Sequence, residues 1–571
     1  MDVFALRDRL ITDYAHYIRS FLNIRDARIR SYVDQQLHEG LLWPDPLIQL
    51  NPCFEPGAWI DDLADAGVLH SGCKRVFRLK EDDGTSKRMR LYWHQVDAIE
   101  AAKSGESFVL TTGTGSGKSL AYIIPIVDHL LHHGSGQGIK AIIVYPMNAL
   151  ANSQYNELEK FLCRGFESGP PVTFRRYTGQ ESEEERNEII AEPPDILLTN
   201  YVMLELILTR PRERRLVQRA RGLRYLVLDE MHTYRGRQGA DVALLVRRVR
   251  EACDATELQC IGTSATLSAE GSFAEQQTAV AAVATRVFGS PVTASCVIGE
   301  TLQRVTDASD PNDLAFVDAL RIRVDDASIK TPRSFEAFKQ DPLCSWMEST
   351  LGLTTEEGTR RLCRAKPTSI TGPDGAAARF AELTGVEESR CVDAIQEALM
   401  AGYDVPNPET GFPAFAFRVN QFISRGDTVY ASLEAPERRY LTTQGQQFVP
   451  GHRDKVLLPL AFCRECGQEF YVVRKRVGSE SHGTRFFARD LYDQRDEKGE
   501  ESGFLYADPE NPWPEEEAGI TDRLPEDWLE VSKGGLAIRR SRRRRLPRPV
   551  RLSALGEEDD EGERYLFVPA P

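Results

Sequence analysis

The sequence predicts an α/β protein built on a parallel sheet covered by helices, and three observations carry that prediction. Short apolar runs alternate with helical patterns between residues 86 and 290. The stretch "TTGTGSGKS" (111–119) joins one such run to a helical pattern, and "LVLDEMHTYRG" (226–236) sets two carboxylates, Asp229 and Glu230, at the end of another. The runs are "SFVLTT" (107–112), "AIIVYP" (141–146), "DILLTN" (195–200), "YLVLDE" (225–230) and "QCIGTSAT" (259–266). Strands that are apolar on both faces need cover on both sides, which is the habit of parallel sheets.

Taken in order, the chain divides into four regions. Its 571 residues exceed what one core serves and suggest about three or four domains. Residues 1–85 open with Leu6, Leu10, Tyr14, Ile18 and Phe21 at helical spacing and then turn proline-rich, which predicts a helical N-terminal cap on the next domain. Residues 86–290 form the α/β domain. Charged helical patterns over 291–415 predict a mostly helical insert, and 416–571 reads as β-rich, with a close cysteine pair, a basic run (539–551) and an acidic run (557–563).

Composition narrows the function. With 41% hydrophobic and 27% charged residues the chain is globular. It has no apolar run of about 18 residues, and Asp2, Arg7, Asp8 and Arg9 break up any signal-like stretch, so a soluble cytoplasmic protein with no membrane partner is expected. Eleven cysteines, most of them isolated, do not form a secreted disulfide framework. A net charge of −15 excludes coating nucleic acid by bulk attraction and leaves room for a local basic groove.

The stretch 111–119 has the context a phosphate-binding loop requires, a strand before it and a helix after it. Gly113, Gly115 and Gly117, with Thr114 and Ser116 between them, let backbone N–H groups converge on phosphates at a helix N-terminus. Lys118 is placed to reach the β- and γ-phosphates of ATP, and the Ser119 hydroxyl to ligate Mg²⁺. Thr112 stands where the general pattern has Gly or Ala. In such a fold the acid pair lies at the carboxyl end of a neighbouring strand and faces the same crevice. Asp229 then holds the Mg²⁺ shell, Glu230 orients or deprotonates the attacking water, and the His232 imidazole is placed to sense the γ-phosphate or to hydrogen-bond to the next motif.

Asp229-Glu230-Met231-His232 resembles the DExH box of superfamily 2 helicases, and further motifs follow in that family's order. Gln95 in "LYWHQVDAI" resembles the glutamine that reads adenine. "YPMNALANSQ" (145–154), "YTGQ" (177–180) and "LLTNYVMLEL" (197–206) resemble strand-binding loops, with Pro146, Asn148, Thr199 and Asn200 as contacts. "TSATLS" (263–268) resembles the element that couples hydrolysis to movement through Ser264, Ala265 and Thr266. More narrowly, "DEMHTYRGRQGADVALLVRRV" (229–249) and "PLAFCRECGQEFYVV" (459–473) resemble bacterial helicases of the large-helicase-related group with a cysteine-rich insert, found in DNA repair or phage defence. The resemblance implies a RecA-like domain, ATP and Mg²⁺ as cofactors, and movement on single- or double-stranded DNA, with RNA left open.

Such motors close their ATP site with a second RecA-like domain whose arginines are worth roughly 10³–10⁵ in rate. No second alternating strand and helix pattern follows residue 290, so the chain reads as the N-terminal portion of a split or truncated helicase that needs a second domain or chain. Cys463 and Cys466 form half of a zinc site, with His452 and His482 flanking them at irregular spacing. The rival reading is a non-catalytic nucleotide- and nucleic-acid-binding subunit. A phosphate-loop kinase or GTPase would not need Gln95, Thr199-Asn200 or Ser264-Ala265-Thr266.

Overall fold

The computed structural model describes residues 2–570 except 81–84, 114, 167–168, 266–270, 309, 425–427, 479–482, 494–498, 508–511 and 533–534. Thr114, Thr266 and His482 therefore lie outside the described residues.

Seven strands build the central sheet: β1 (Phe108–Thr111), β2 (Ala141–Tyr145), β3 (Phe174–Arg176), β4 (Ile196–Asn200), β5 (Tyr225–Leu228), β6 (Gln259–Ser264) and β7 (Val297–Gly299). They lie in the order β7-β1-β6-β5-β2-β4-β3, and every neighbouring pair is parallel. β1, β2, β5 and β6 are buried throughout, because helices cover both faces. The five expected strands are all present. The two edge strands, β3 and β7, have only three residues each and show no apolar run. β7 carries this domain past the expected boundary at residue 290. Parallel crossovers bring the carboxyl ends of β1, β6 and β5 side by side, with Ser264 level with Thr111 and Gly262 level with Leu228.

The expected cap over 1–85 is not one unit. Phe4, Ile48 and Leu50 join a core with Leu320, Phe338, Trp346, Phe380, Leu399 and Phe415. Ile24 and Ile29 join the core of the C-terminal sheet. Ile60, Leu69, Cys73, Val76 and Phe77 pack into the α/β domain. The first helix does span Val3–Phe21, but Leu6, Leu10 and Phe21 of the expected stripe are exposed, and Phe4 and Ala15 are its buried residues. Helical spacing locates an apolar face without saying which face has a neighbour.

The α-rich unit sets helices Leu314–Asp325, Ala376–Thr384 and Glu388–Asp404 against a three-stranded antiparallel sheet of Thr368–Ser369, Leu47–Asn51 and Ala416–Asn420. The C-terminal region is a nine-stranded sheet whose recorded pairings are all antiparallel. Among the described residues beyond 300 no second parallel sheet occurs. No helix there is long and apolar enough to cross a membrane.

Candidate functional site

The phosphate-binding loop is shaped by its own residues and clasped from outside. Gly117 has a φ of +69°, a left-handed conformation that strains any side chain. A Cβ there would also stand 2.6 Å from Gln95 Nε2. Thr112 and Ser116, both buried, close the loop through a 2.6 Å hydroxyl pair, so the threonine at the Gly/Ala position serves as a brace. His94 Nε2 lies 2.9 Å from the Ser116 carbonyl, and burial lowers the His94 pKa, which keeps the ring neutral. Gln95 accepts the Tyr92 N–H and donates to the Gly117 carbonyl, both at 2.9 Å. Nε2 also lies 3.5 Å from the Ser116 carbonyl, and Oε1 keeps a second lone pair for the expected reading of adenine.

The helix Lys118–His133 begins at the loop's end, and Lys118 Nζ lies 3.2 Å from Glu230 Oε1. Glu230 Oε2 is 3.3 Å from His232 Nδ1, which is 3.4 Å from Ser264 Oγ. One connected chain of polar groups thus links the phosphate loop, the acid pair and the first residue of Ser264-Ala265-Thr266. Glu230 has a φ of +49°, one of two non-glycine residues in the left-handed region among those described. Such strain costs about 1–3 kcal/mol and persists only where neighbours enforce it.

Thr263, which sequence reasoning passed over, supplies that enforcement. Its Oγ1 donates to Asp229 Oδ1 at 2.5 Å and accepts the Glu230 N–H at 3.0 Å. Burial raises the Asp229 pKa; the Thr263 bond works against that rise, the Glu230 charge adds to it, and Lys118 opposes it. A nine-tenths buried carboxylate whose ionised form is disfavoured is a group that a divalent cation would relieve. Ser119, in the first turn of the helix after Lys118, could be a second donor for such a cation.

The strand-binding candidates lie over the other half of the sheet, at the ends of β2, β4 and β3. Asn200 Nδ2 donates to Asn148 Oδ1 at 2.7 Å and to the Thr178 carbonyl at 3.0 Å, while Oδ1 accepts the Met203 N–H at 2.7 Å. Thr199 does not face outward as expected: it is fully buried, and its hydroxyl donates to the Tyr177 carbonyl at 2.7 Å. Alternation along β4 turns Thr199 into the sheet and leaves Asn200 at the rim. Pro146 is half-buried in the turn before the helix Asn148–Leu162.

Cys463 and Cys466 sit in a turn where the Gly467 N–H reaches the Cys463 carbonyl at 2.9 Å. Backbone N–H groups of Cys466 and Glu465 lower the Cys463 thiol pKa, which suits a metal-binding thiolate. His452 opens the 11-residue strand that ends at Phe462; at ~3.3 Å per residue it lies roughly 30 Å along the strand from the cysteine turn. It is not a partner for the pair. Among the described residues no group of three or more potential ligands surrounds it.

Residues 92–272 match the DEAD/DEAH box helicase family. This segment is a DEAD/DEAH box helicase domain. The chain is 26% identical over 392 residues to Druantia protein DruE of Escherichia coli, covering 46% of this chain and 21% of that protein. It is 33% identical over 190 residues to the uncharacterized ATP-dependent helicase YprA of Bacillus subtilis, covering 33% and 24% respectively. The chain thus spans about a fifth to a quarter of the length of these curated relatives. Among solved structures, DUF1998 helicase MrfA bound to DNA aligns with 37% of this chain and 27% of its own, at 27% identity and a TM-score of 0.31. Every nucleotide-site residue expected from the sequence falls within the matched residues 92–272.

Proposed function

We propose that the chain is the ATP-binding half of a DNA helicase motor, working in the cytoplasm and hydrolysing ATP through the DExH box. The observation that carries this is the meeting of Lys118 and Glu230 at 3.2 Å, with Asp229 beside them. A lysine at a phosphate loop and an acid pair on a neighbouring strand have to share one crevice to act on one nucleotide. Gln95 meets the adenine, and Gly113 to Gly117 cradle the phosphates. Mg²⁺, held by Ser119 and Asp229, would neutralise charge on the β- and γ-phosphates. Glu230 orients the attacking water and takes its proton, and His232 with Ser264 relays the state of the γ-phosphate to the coupling element, including Ala265 and Thr266.

DNA would lie across the other half of the rim. Asn148 and Asn200 stand at the starts of the helices Asn148–Leu162 and Tyr201–Thr209, whose first N–H groups suit backbone phosphates without reading sequence. Cys463 and Cys466 would give zinc two of its four ligands.

A second reading has its own support. Because the described residues beyond 300 hold no second parallel sheet, the chain would bind nucleotide and DNA and turn over only when a second RecA-like domain or chain completes the cleft.

Two measurements test these readings. Lys118→Ala should weaken Mg²⁺·AMP-PNP binding by about 1.5–3 kcal/mol, the range for hydrogen bonds to charged groups; unchanged affinity by calorimetry would remove the phosphate-loop assignment. ATP turnover with and without single-stranded DNA then separates the two: an active wild type whose rate vanishes in Glu230→Gln is a complete motor, whereas tight binding with background turnover marks the half-motor.

A further inference from the structure

The α-rich unit reaches back onto the phosphate-binding loop. Strands Leu353–Thr355 and Leu362–Arg364 pair as an antiparallel hairpin, and its last residue, Arg364, lies over Gly113. A Cβ on Gly113 would stand 2.7 Å from the Arg364 Cζ, so only a glycine lets the guanidinium rest against this backbone. Glu300, just past β7, holds the guanidinium in a fork, with Nε donating to Oε1 at 2.7 Å and Nη2 to Oε2 at 3.1 Å. The same Oε2 accepts the Gly113 N–H at 2.9 Å. Arg361 donates to the Glu300 carbonyl at 2.9 Å, and the Phe54 ring lies 5.4 Å from the Arg364 Cζ. The Arg364 and Glu300 side chains are only 18% and 16% exposed.

This is more than a clamp between units. A carboxylate on a phosphate-loop N–H occupies the place of an anion, and the arginine beside it is the cation that makes an anion stable there. The fork uses two of the three guanidinium nitrogens, and among the described residues Nη1 has no hydrogen-bond acceptor. A planar guanidinium with five donors can serve a carboxylate and a phosphate together, which a lysine cannot do in the same geometry. The hairpin also touches the helix that follows the coupling element: Glu356 Oε1 accepts the Phe273 N–H at 2.7 Å, and Arg361 lies over the Phe273 ring.

We propose that Arg364 is a nucleotide-binding residue of this site: held in place by Glu300, its guanidinium contacts the polyphosphate of the nucleotide seated at Lys118, so that the α-rich unit helps to complete the pocket. This rests on the ATP-binding reading above. Glu300 is a positioning residue, and the contact brings to the phosphates a fixed positive charge from within the same chain.

The test is a titration of the full chain with Mg²⁺·AMP-PNP and, by competition, with AMP, which lacks the β- and γ-phosphates. Wild type and Lys118→Ala are measured first; a wild type that binds no AMP-PNP, or a Lys118→Ala that binds as well as wild type, defeats the ATP-site reading and this proposal with it. With that reading in hand, Arg364→Gln should weaken AMP-PNP about tenfold to a hundredfold, the span of a charge-assisted hydrogen bond, and leave AMP within about twofold. Equal AMP-PNP affinity, or a parallel loss for AMP, overturns the contact and leaves Arg364 a structural clamp. Should Arg364→Gln melt well below wild type, Arg364→Lys decides: it keeps the charge and loses the fork, so a selective loss for AMP-PNP smaller than that of Lys118→Ala supports the proposal, and no selective loss overturns it.

Discussion

Replacing Thr263 with valine removes one hydroxyl and almost no volume, and the structure says what that hydroxyl holds. Thr263 is fully buried, donates to Asp229 Oδ1 and accepts the Glu230 N–H. A neutral hydrogen bond contributes about 0.5–1.5 kcal/mol and one to a charged group about 1.5–3. Losing both, with Glu230 held at a φ of +49°, should cost about 2–4 kcal/mol. For a cooperative unit of about 150–250 residues each kcal/mol moves Tm by about 2–4 °C, so Thr263→Val should melt roughly 4–16 °C below wild type. Thr263→Ser keeps the hydroxyl and should recover most of the loss. The deficit should also depend on pH. Burial raises the Asp229 pKa above its ordinary value of 3.8. As pH falls through that raised pKa, Asp229 takes up a proton, the charged part of its bond to Thr263 disappears, and the gap between valine variant and wild type narrows. Differential scanning calorimetry at neutral and acidic pH measures both effects. A valine variant within 2 °C of wild type, or a serine variant that falls as far as valine, would refute the clamp.

The remaining expectations concern the metal, the strand-binding rim and the cysteine pair. Because the folded pKa of Asp229 is raised, its ionisation opposes folding: that cost is absent below the ordinary carboxylate range and grows as pH rises through the raised pKa. Asp229→Asn should therefore raise Tm at neutral pH while abolishing the Mg²⁺ dependence of AMP-PNP binding; a lower Tm would show that its attraction to Lys118 outweighs burial. Asn200→Ala removes a helix cap and two further hydrogen bonds and should cost about 1 kcal/mol or more of stability, with weaker single-stranded DNA binding by fluorescence anisotropy and unchanged AMP-PNP affinity. Cys463 and Cys466 alone should lose zinc on dialysis against a mild chelator; one zinc retained per chain by atomic absorption would require two further ligands.

The nucleotide site was legible in the sequence because its parts are local. A glycine-rich loop has to sit between a strand and a helix, and an acid pair acts only at a strand's carboxyl end, so order and spacing placed Lys118, Asp229, Glu230 and His232 before any coordinates. Parallel topology then brought them together, since β1, β6 and β5 are neighbours and their carboxyl ends are level. Three things were decided only by tertiary structure. Residues 1–85 are shared among three cores, because burial depends on which distant surfaces arrive and not on helical spacing. Thr199 turned inward and Thr263 became the clamp of the acid pair, because the direction of a side chain at a strand end follows pairing register. Arg364 reached Gly113 across some 250 residues of chain because contacts of that separation are fixed by how whole units pack, a choice that no local pattern of residues encodes.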